Sequence, residues 1–344
     1  MTTDIEAADA RTSMRSGLHY LASVQGKNGE FPIDCAFSAD MTERRRNDPC
    51  FFGTVAVAAT LLGCAEAADL CARAGDFIER ERRPGDLWGY YKRGHPHVYP
   101  PRDVDDSALA TLVLRRLGRM VPDNRRIILG NRDADGRFLT WILPWRDGPN
   151  IALLLRDWRQ AFHGRRYHAF FANSFCERDD VDAGINANVL AGLGRFDGDE
   201  RVVAWLLSIL RDAREASCDR YYDDPVLIRY FFSRALVGRS AEAGALLVER
   251  AVPQPQDSAL HVALAILTRL IWQAPVPAEA VARLIAMQGE DGSWPIVSLY
   301  CGGRPRLADG GFGPAMPDMY RKGSEAFTTA FCVAALDGCA SRAA

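Results

Sequence analysis

The sequence predicts an all-α fold, an (α/α)6 toroid in which six inner helices are ringed by outer ones. Three observations carry this. Six segments are apolar or small on every face, segments with one polar face alternate with them, and a Gln-to-aromatic turn recurs between the two kinds. A helix apolar all round must be buried on all sides, whereas one with a polar stripe belongs at the surface. Recurrence of such pairs marks a repeat architecture. An irregular helical bundle or an open solenoid is the alternative.

In chain order, residues 9–24 form the first amphipathic segment, and Gly53 to Gly63 the first inner helix. Residues 66–82 are outer and Asp105 to Gly118 inner. Ile185 to Gly194 is the third inner helix, followed by outer residues 198–216 and inner Pro225 to Gly238. Residues 240–251 are outer, Ser258 to Leu270 inner, 277–288 outer, and Glu325 to Gly338 the sixth inner helix. Gly just past the last turn is the expected stop. The segment 139–180, with Trp141, Trp145, Trp158, Phe170 and Phe171, fits the sixfold pattern least. Gly302 to Pro317 is the one long Gly/Pro-rich loop, expected as a lid or a disordered insert. Residues 1–344 read as a single domain.

Gln25 to Phe31, Asn131 to Phe138 and Gln288 to Trp294 each combine an amide, an Asx-Gly turn and an aromatic. The turn is tight, the aromatic can pack on the adjoining helix, and the amide can cap a helix end. Such a unit staples an outer helix to the next inner one.

Composition narrows the class. A net charge of −2 and a pI near 6.3 leave no cation excess for phosphate neutralisation, which excludes nucleic acid as a partner. Nine cysteines lie singly without CxxC spacing, which suits a reducing cytoplasm and argues against a zinc ribbon. The N-terminus has no signal-peptide pattern, and no apolar run approaches a membrane span, so a soluble cytoplasmic protein is expected.

The chemistry-bearing segment is Asp103-Val104-Asp105-Asp106, after Tyr99-Pro100-Pro101 and at the head of an apolar helix. Three carboxylates in four positions repel one another unless a proton is shared. A carboxylic acid held neutral among charged neighbours can deliver a proton to a substrate that has no strong base. The plain alternative is capping, with Asp103 as N-cap and Asp106 at N3. Other inner helices also begin with polar groups: Asp182, Asn186 and Asn188 in the third, Asp223 and Asp224 in the fourth, Asp257 in the fifth. In a ring these starts share one mouth, with Tyr221 and Tyr222 nearby, and convergent polar groups in a concave site indicate a ligand pocket. Arg229 and Arg234, inside a buried helix, either pair with inner carboxylates or hold an anionic head group. His95 and His97 stand close enough to the acidic motif for one to hydrogen-bond the acid. Glu177 to Asp182 reads as a solvated loop.

DVDDSA, the turn at 288–294, and Gly323-Ser324 followed by Thr328-Thr329-Ala330 together resemble the class II terpene cyclases and the wider squalene/hopene cyclase and prenyltransferase repeat superfamily. Ile185 to Leu190 looks like a helix start of bacterial diterpene cyclases of that class. The resemblance implies a terpenoid cyclase-like toroid in which Asp105 protonates an alkene or epoxide, tuned by Asp103 and Asp106. It also implies aromatic rings that stabilise carbocations, and an isoprenoid folded in a dry pocket. Tyr99, His97, Asp182, Asn186, Asn188, Tyr221, Tyr222 and Arg229 are the expected substrate-binding residues. No metal or cofactor is implied, with Mg2+ entering only for a diphosphate substrate. The family usually pairs two α-barrels and this chain has length for one. The cavity is therefore expected inside the ring's own mouth or closed by a homodimer. The zinc site of protein prenyltransferases is rejected, because Thr328 to Cys332 carries no His. Two rival functions are a carbohydrate-active (α/α)6 barrel with paired carboxylates and a non-catalytic ligand-binding toroid.

Overall fold

The structure is a computed structural model that describes residues 2–38, 40–43, 46–95, 100–145 and 148–343. The described helices are α1 (Thr2–Val24), α2 (Phe52–Leu61), α3 (Ala68–Arg80), α4 (Val104–Arg116), α5 (Arg125–Leu129), α6 (Ile151–Arg156) and α7 (Gly164–Ala172). They continue with α8 (Ala183–Leu193), α9 (Asp199–Arg211), α10 (Pro225–Leu236), α11 (Ala241–Arg250), α12 (Ala259–Ile271), α13 (Ala278–Ala286) and α14 (Glu325–Ala343). Six short strands are β1 (Asp34–Ala36), β2 (Arg46–Asn47), β3 (Arg102–Asp103), β4 (Trp141–Ile142), β5 (Ser298–Cys301) and β6 (Arg321–Gly323).

The six helices expected inside form a closed ring. α2 packs on α4, α4 on α8, α8 on α10, α10 on α12, α12 on α14, and α14 back on α2. Their apolar residues, from Val55 and Val113 to Val262 and Val333, belong to one continuous buried core. Outside the ring, α1 packs on α13 and α14, α3 on α2 and α4, and α9 on α8. α11 packs on α10 and α12, and α13 on α12 and α14. The sixth outer position is reduced to α5, whose Ile127 and Ile128 enter the same core. This abbreviation explains why 139–180 breaks the pattern: the chain saved there is spent on β4, α6, a 3-10 turn over Trp158–Phe162, and α7.

Helix starts follow the capping chemistry. Asp103 Oδ1 accepts from Asp106 N at 2.8 Å to open α4, and Asp224 Oδ1 accepts from Val226 N at 2.7 Å to open α10, with Pro225 at N1. Gly118, Gly194 and Gly238 take positive φ just past α4, α8 and α10, as expected of stops. Gly338 does not stop α14, which runs on to residue 343. A Cβ at Gly338 would lie 2.7 Å from Leu270 Cδ1, so its role is close approach of α12 and α14.

The repeated turn does more than cap. Phe31, Phe138 and Trp294 are buried, and their backbone N–H groups donate to Thr54 Oγ1 (2.9 Å), Asn186 Oδ1 (2.7 Å) and Thr329 Oγ1 (3.2 Å) on inner helices. Gln25 Nε2 reaches Leu70 O on α3, and Gln288 Nε2 reaches Ser13 O on α1. In these two turns the amide ties one outer helix to the next, whereas Asn131 Nδ2 donates to Leu139 O and Trp141 O; in all three the residue at the aromatic position is tied to the ring. A fourth copy, missed in the sequence because it lacks the amide, ends at Trp88. Its N–H donates to Ser107 Oγ (3.0 Å) and its indole to Ile78 O (2.8 Å).

The strands gather where the inner helices begin. An antiparallel sheet of order β2-β1-β6-β5 pairs Asp34 with Gly323, which ties the approach to α2 to the approach to α14. β3 and β4 pair Asp103 with Trp141, and so hold the acidic motif against the insert. The loop after β5 is neither loose nor lid-like. Arg304 is buried and donates to Ala216 O and Gly313 O, and Phe312 N donates to Ser217 O.

Candidate active site

A cavity of about 480 Å3 opens at the mouth of the ring, lined by Asp103, Asp105 and Asp106, by the aromatic rings of Phe52, Tyr90, Trp141, Phe170, Tyr222 and Tyr300, and by other groups of the insert and β5. Asp105 is the second residue of α4 and is buried. Its Oδ1 accepts from Asn188 Nδ2 on α8 at 2.9 Å, and its Oδ2 accepts from Tyr222 OH, just ahead of α10, at 2.7 Å. Three inner helices therefore converge on one carboxyl. Arg234 Nη1 lies 3.5 Å from Asn188 Oδ1, which extends the chain one residue deeper into the ring.

Burial pushes the Asp105 carboxyl up to about 7, and the neighbouring Asp103 adds to it. The Tyr222 and Asn188 hydrogen bonds and the Arg234 charge pull the other way. Burial also raises Asp103 and Asp106. Asp106 rises further because it faces two other carboxyls and is hydrogen-bonded to Asp103. The N-cap bond of Asp103 and the Arg83 charge hold Asp103 lower. Capping accounts for Asp103, whose carboxylate accepts from Asp106 N. All three carboxyls line the cavity, and Asp105 is the one held by Asn188 and Tyr222.

Of the expected binding residues, Asn188, Tyr221 and Tyr222 are at the site. Tyr221 lines the cavity wall with its hydroxyl 3.2 Å from Cys176 Sγ. Asn186 is not a binding residue: its amide is used by Asp182 O and by both backbone groups of Phe138. Asp182 is likewise structural, accepting from the Thr140 hydroxyl and from Arg220 N at 2.8 Å. Arg229 is not among the residues that line the cavity and pairs with Glu215 at 2.9 Å, alongside Arg250. His97 and Tyr99 lie outside the described residues. His95 is stacked on Tyr91, and the groups that hold Asp105 are Asn188 and Tyr222. The stretch 177–182 is no solvated loop, since Asp180 is fully buried and pairs with Arg220 (2.8 Å) and Arg306 (3.2 Å).

Two groups of importance have weak sequence signals. Asp219 accepts from Tyr221 N and Tyr222 N (both 2.9 Å) and from Gly184 N (2.8 Å), which fixes the backbone that carries Tyr222 to Asp105. Only its place in Asp219-Arg220-Tyr221-Tyr222, an Asx-turn pattern, hinted at this. Lys322 on β6 lines the cavity and is held at 2.6 Å by Asp48, which also accepts from Tyr90 OH at 2.6 Å. Among the described residues no group of His, Cys, Asp or Glu is arranged to hold a metal ion.

No protein-family model matches the chain, and no curated protein does either. Solved structures do. A variant of the type II terpene cyclase MstE from Scytonema, in complex with geranylgeranyl dihydroxybenzoate as substrate, superposes with a TM-score of 0.66 at 17% identity, covering 98% of this chain and 99% of that one. A second MstE variant, in complex with merosterolic acid A as product, gives 0.67 at 16% identity and 98% coverage of each chain. This chain has the type II terpene cyclase fold. The ent-copalyl diphosphate synthase from Streptomyces platensis is also similar, with a TM-score of 0.52 at 17% identity. There the likeness covers 84% of this chain and 50% of that one. At these identities the likeness is one of fold, and it makes the α/α toroid the architecture of the chain.

Proposed function

We propose that residues 1–344 form a proton-initiated, class II terpene cyclase-type enzyme that cyclises an isoprenoid within the mouth of one toroid. The observation that carries this is Asp105. It is a carboxyl buried at the wall of an aromatic-lined cavity, held by Asn188 and Tyr222 and pushed up to about 7. Near neutral pH a large share of such groups carries the proton, and the acid is strong enough to act because the ionised form retains two donors.

In the proposed step the Asp105 O–H bond breaks as a C–H bond forms on a terminal alkene. The resulting cation is attacked by the next π bond of the folded chain. Asn188 and Tyr222 stabilise the carboxylate left behind, and the rings of Phe52, Tyr222 and Tyr300 present their negative faces to the cation. Ring closure ends when a carbon-bound proton is lost, which balances the proton donated. No metal takes part in this step, and Mg2+ is proposed only as a counter-ion if the substrate is a diphosphate. The nine cysteines, none in a disulfide, support the cytoplasm as its compartment.

The test is incubation with geranylgeranyl and farnesyl substrates, both as diphosphates and attached to an aromatic acid, in D2O. Cyclic product carrying one deuterium is expected, with none from Asp105→Asn. Cyclisation by that variant at an undiminished rate would remove Asp105 from its role.

A further inference from the structure

Cyclisation started by Asp105 must end with the loss of a carbon-bound proton, and one wall of the cavity carries a hydroxyl backed by a buried carboxylate that the first step does not use. Tyr221 lines the cavity with Trp141, Phe170 and Cys176. Its hydroxyl lies 3.2 Å from Cys176 Sγ and 3.5 Å from Asp180 Oδ2. Asp180 is fully buried behind it. Oδ2 also accepts from Glu177 N at 2.8 Å and from the Trp141 indole at 3.4 Å, while Oδ1 faces Arg220 (2.8 Å) and Arg306 (3.2 Å). Two guanidiniums favour the ionised, proton-accepting form of this carboxyl. Burial first, then Asp182, push it the other way, up to about 7, so it can take a proton and release it again near neutrality. The turn that carries Tyr221 is also the one that serves the acid. Asp219 Oδ1 accepts from Tyr221 N and Tyr222 N at 2.9 Å, and this fixes one hydroxyl on Asp105 and its neighbour on Asp180. Thr140 also lines the cavity and donates to Asp182, but it is only 2% exposed, whereas Tyr221 is partly exposed.

We propose that Tyr221 takes the proton that ends cyclisation and passes its own to Asp180, so that this wall of the cavity selects which double bond the product carries. In that step a C–H bond beside the cationic carbon breaks, and its electron pair becomes the π bond of the product. The proton goes to the Tyr221 oxygen as the Tyr221 O–H proton moves to the Asp180 carboxylate, which leaves Tyr221 neutral. A phenol oxygen can accept in this way while its hydrogen is donated onward. A C–H beside a carbocation is a far stronger acid than any side chain of the cavity. The placement of the accepting oxygen, more than its basicity, therefore decides which proton leaves. Tyr221 is then a catalytic residue and Asp180 a positioning residue that acts through it. Both assignments rest on the cyclase reading of Asp105.

The experiment is product analysis by chromatography and mass spectrometry for the native chain, Tyr221→Phe, Asp180→Asn and Cys176→Ala, each given the geranylgeranyl substrates. Tyr221→Phe keeps the ring and removes only the oxygen. It is expected to go on consuming substrate while the share of the native double-bond isomer falls at least about tenfold, replaced by other isomers or by an alcohol from water capture. Asp180→Asn should shift the composition in the same direction. A merely structural Asp180 would instead lower the melting temperature and the rate with the composition unchanged, and that result overturns the relay. Cys176→Ala should give the native composition; a shift like that of Tyr221→Phe would make the thiol the acceptor and overturn the assignment. Native composition from Tyr221→Phe overturns the proposal and leaves Asp105 its role. No cyclic product from the native chain overturns the cyclase reading and this inference together.

Discussion

Asp105→Asn should stabilise the protein while abolishing its chemistry, and the gain should depend on pH in a calculable way. The amide is isosteric with the carboxyl. Its oxygen can still accept from Asn188, and its NH2 can donate to the Tyr222 oxygen. Asp105 has an ordinary value of 3.8, raised in the folded chain to about 7. Below 3.8 it is protonated whether the chain is folded or unfolded, and it costs nothing. Between 3.8 and about 7 the unfolded chain ionises first, so stability falls as pH rises. Above about 7 the full cost stands, at about 1.4 kcal/mol per pH unit of separation, or about 4 kcal/mol. The variant should therefore gain about 2 kcal/mol at pH 5 and about 4 kcal/mol at pH 8. For 344 residues the unfolding entropy is about 0.7 kcal/mol per kelvin, so the melting temperature should rise by about 3 °C and about 6 °C respectively. Scanning calorimetry of both proteins at the two pH values measures this. A variant that loses stability at pH 8, or gains equally at both, would refute the assignment of a buried, reluctantly ionised carboxyl to this position.

The protonated fraction of Asp105 falls through about 7, so kcat/KM for cyclisation should decline with a single limb near that pH; a flat profile from pH 6 to 9 contradicts it. Tyr222→Phe removes a donor that favours the charged form, so the limb should move up by about one pH unit. An effect on rate alone would instead give Tyr222 a merely steric role. Trp294 is fully buried with its indole on Leu284 O at 2.7 Å, so Trp294→Ala should cost about 3–5 kcal/mol in denaturant unfolding. Gly192→Ala should cost about 1–3 kcal/mol, because a Cβ there would sit 2.7 Å from Ala108 O where α4 meets α8.

The ring was legible because its signal is redundant. An inner helix such as Ala259–Ile271 has no face to offer water, and that property survives any error in its ends. The motif at 103–106 was legible as a candidate site because three carboxylates in four positions are costly wherever they sit. What the sequence concealed was direction. Asn186 and Asn188 stand two residues apart on α8, about 200° around the helix, so one serves the Phe138 turn and the other Asp105. Their residue type does not reveal which does which. Arg229 and Arg234 differ in the same way, one turned to Glu215 and the other toward Asn188. The buried Asp180 and Asp182 were misread because their partners, Arg220, Arg306 and Thr140, are far away in sequence. The insert escaped because periodicity describes the regular repeat, and this is the one sector where the repeat is cut short.

Infrared difference titration of the native chain against Asp105→Asn tests the central claim most directly. A protonated-carboxyl band present below neutrality, absent from the variant and titrating near pH 7, is the predicted result. A difference spectrum in which that carboxyl is already fully ionised at pH 5 would contradict it, leaving the cavity without its proton donor.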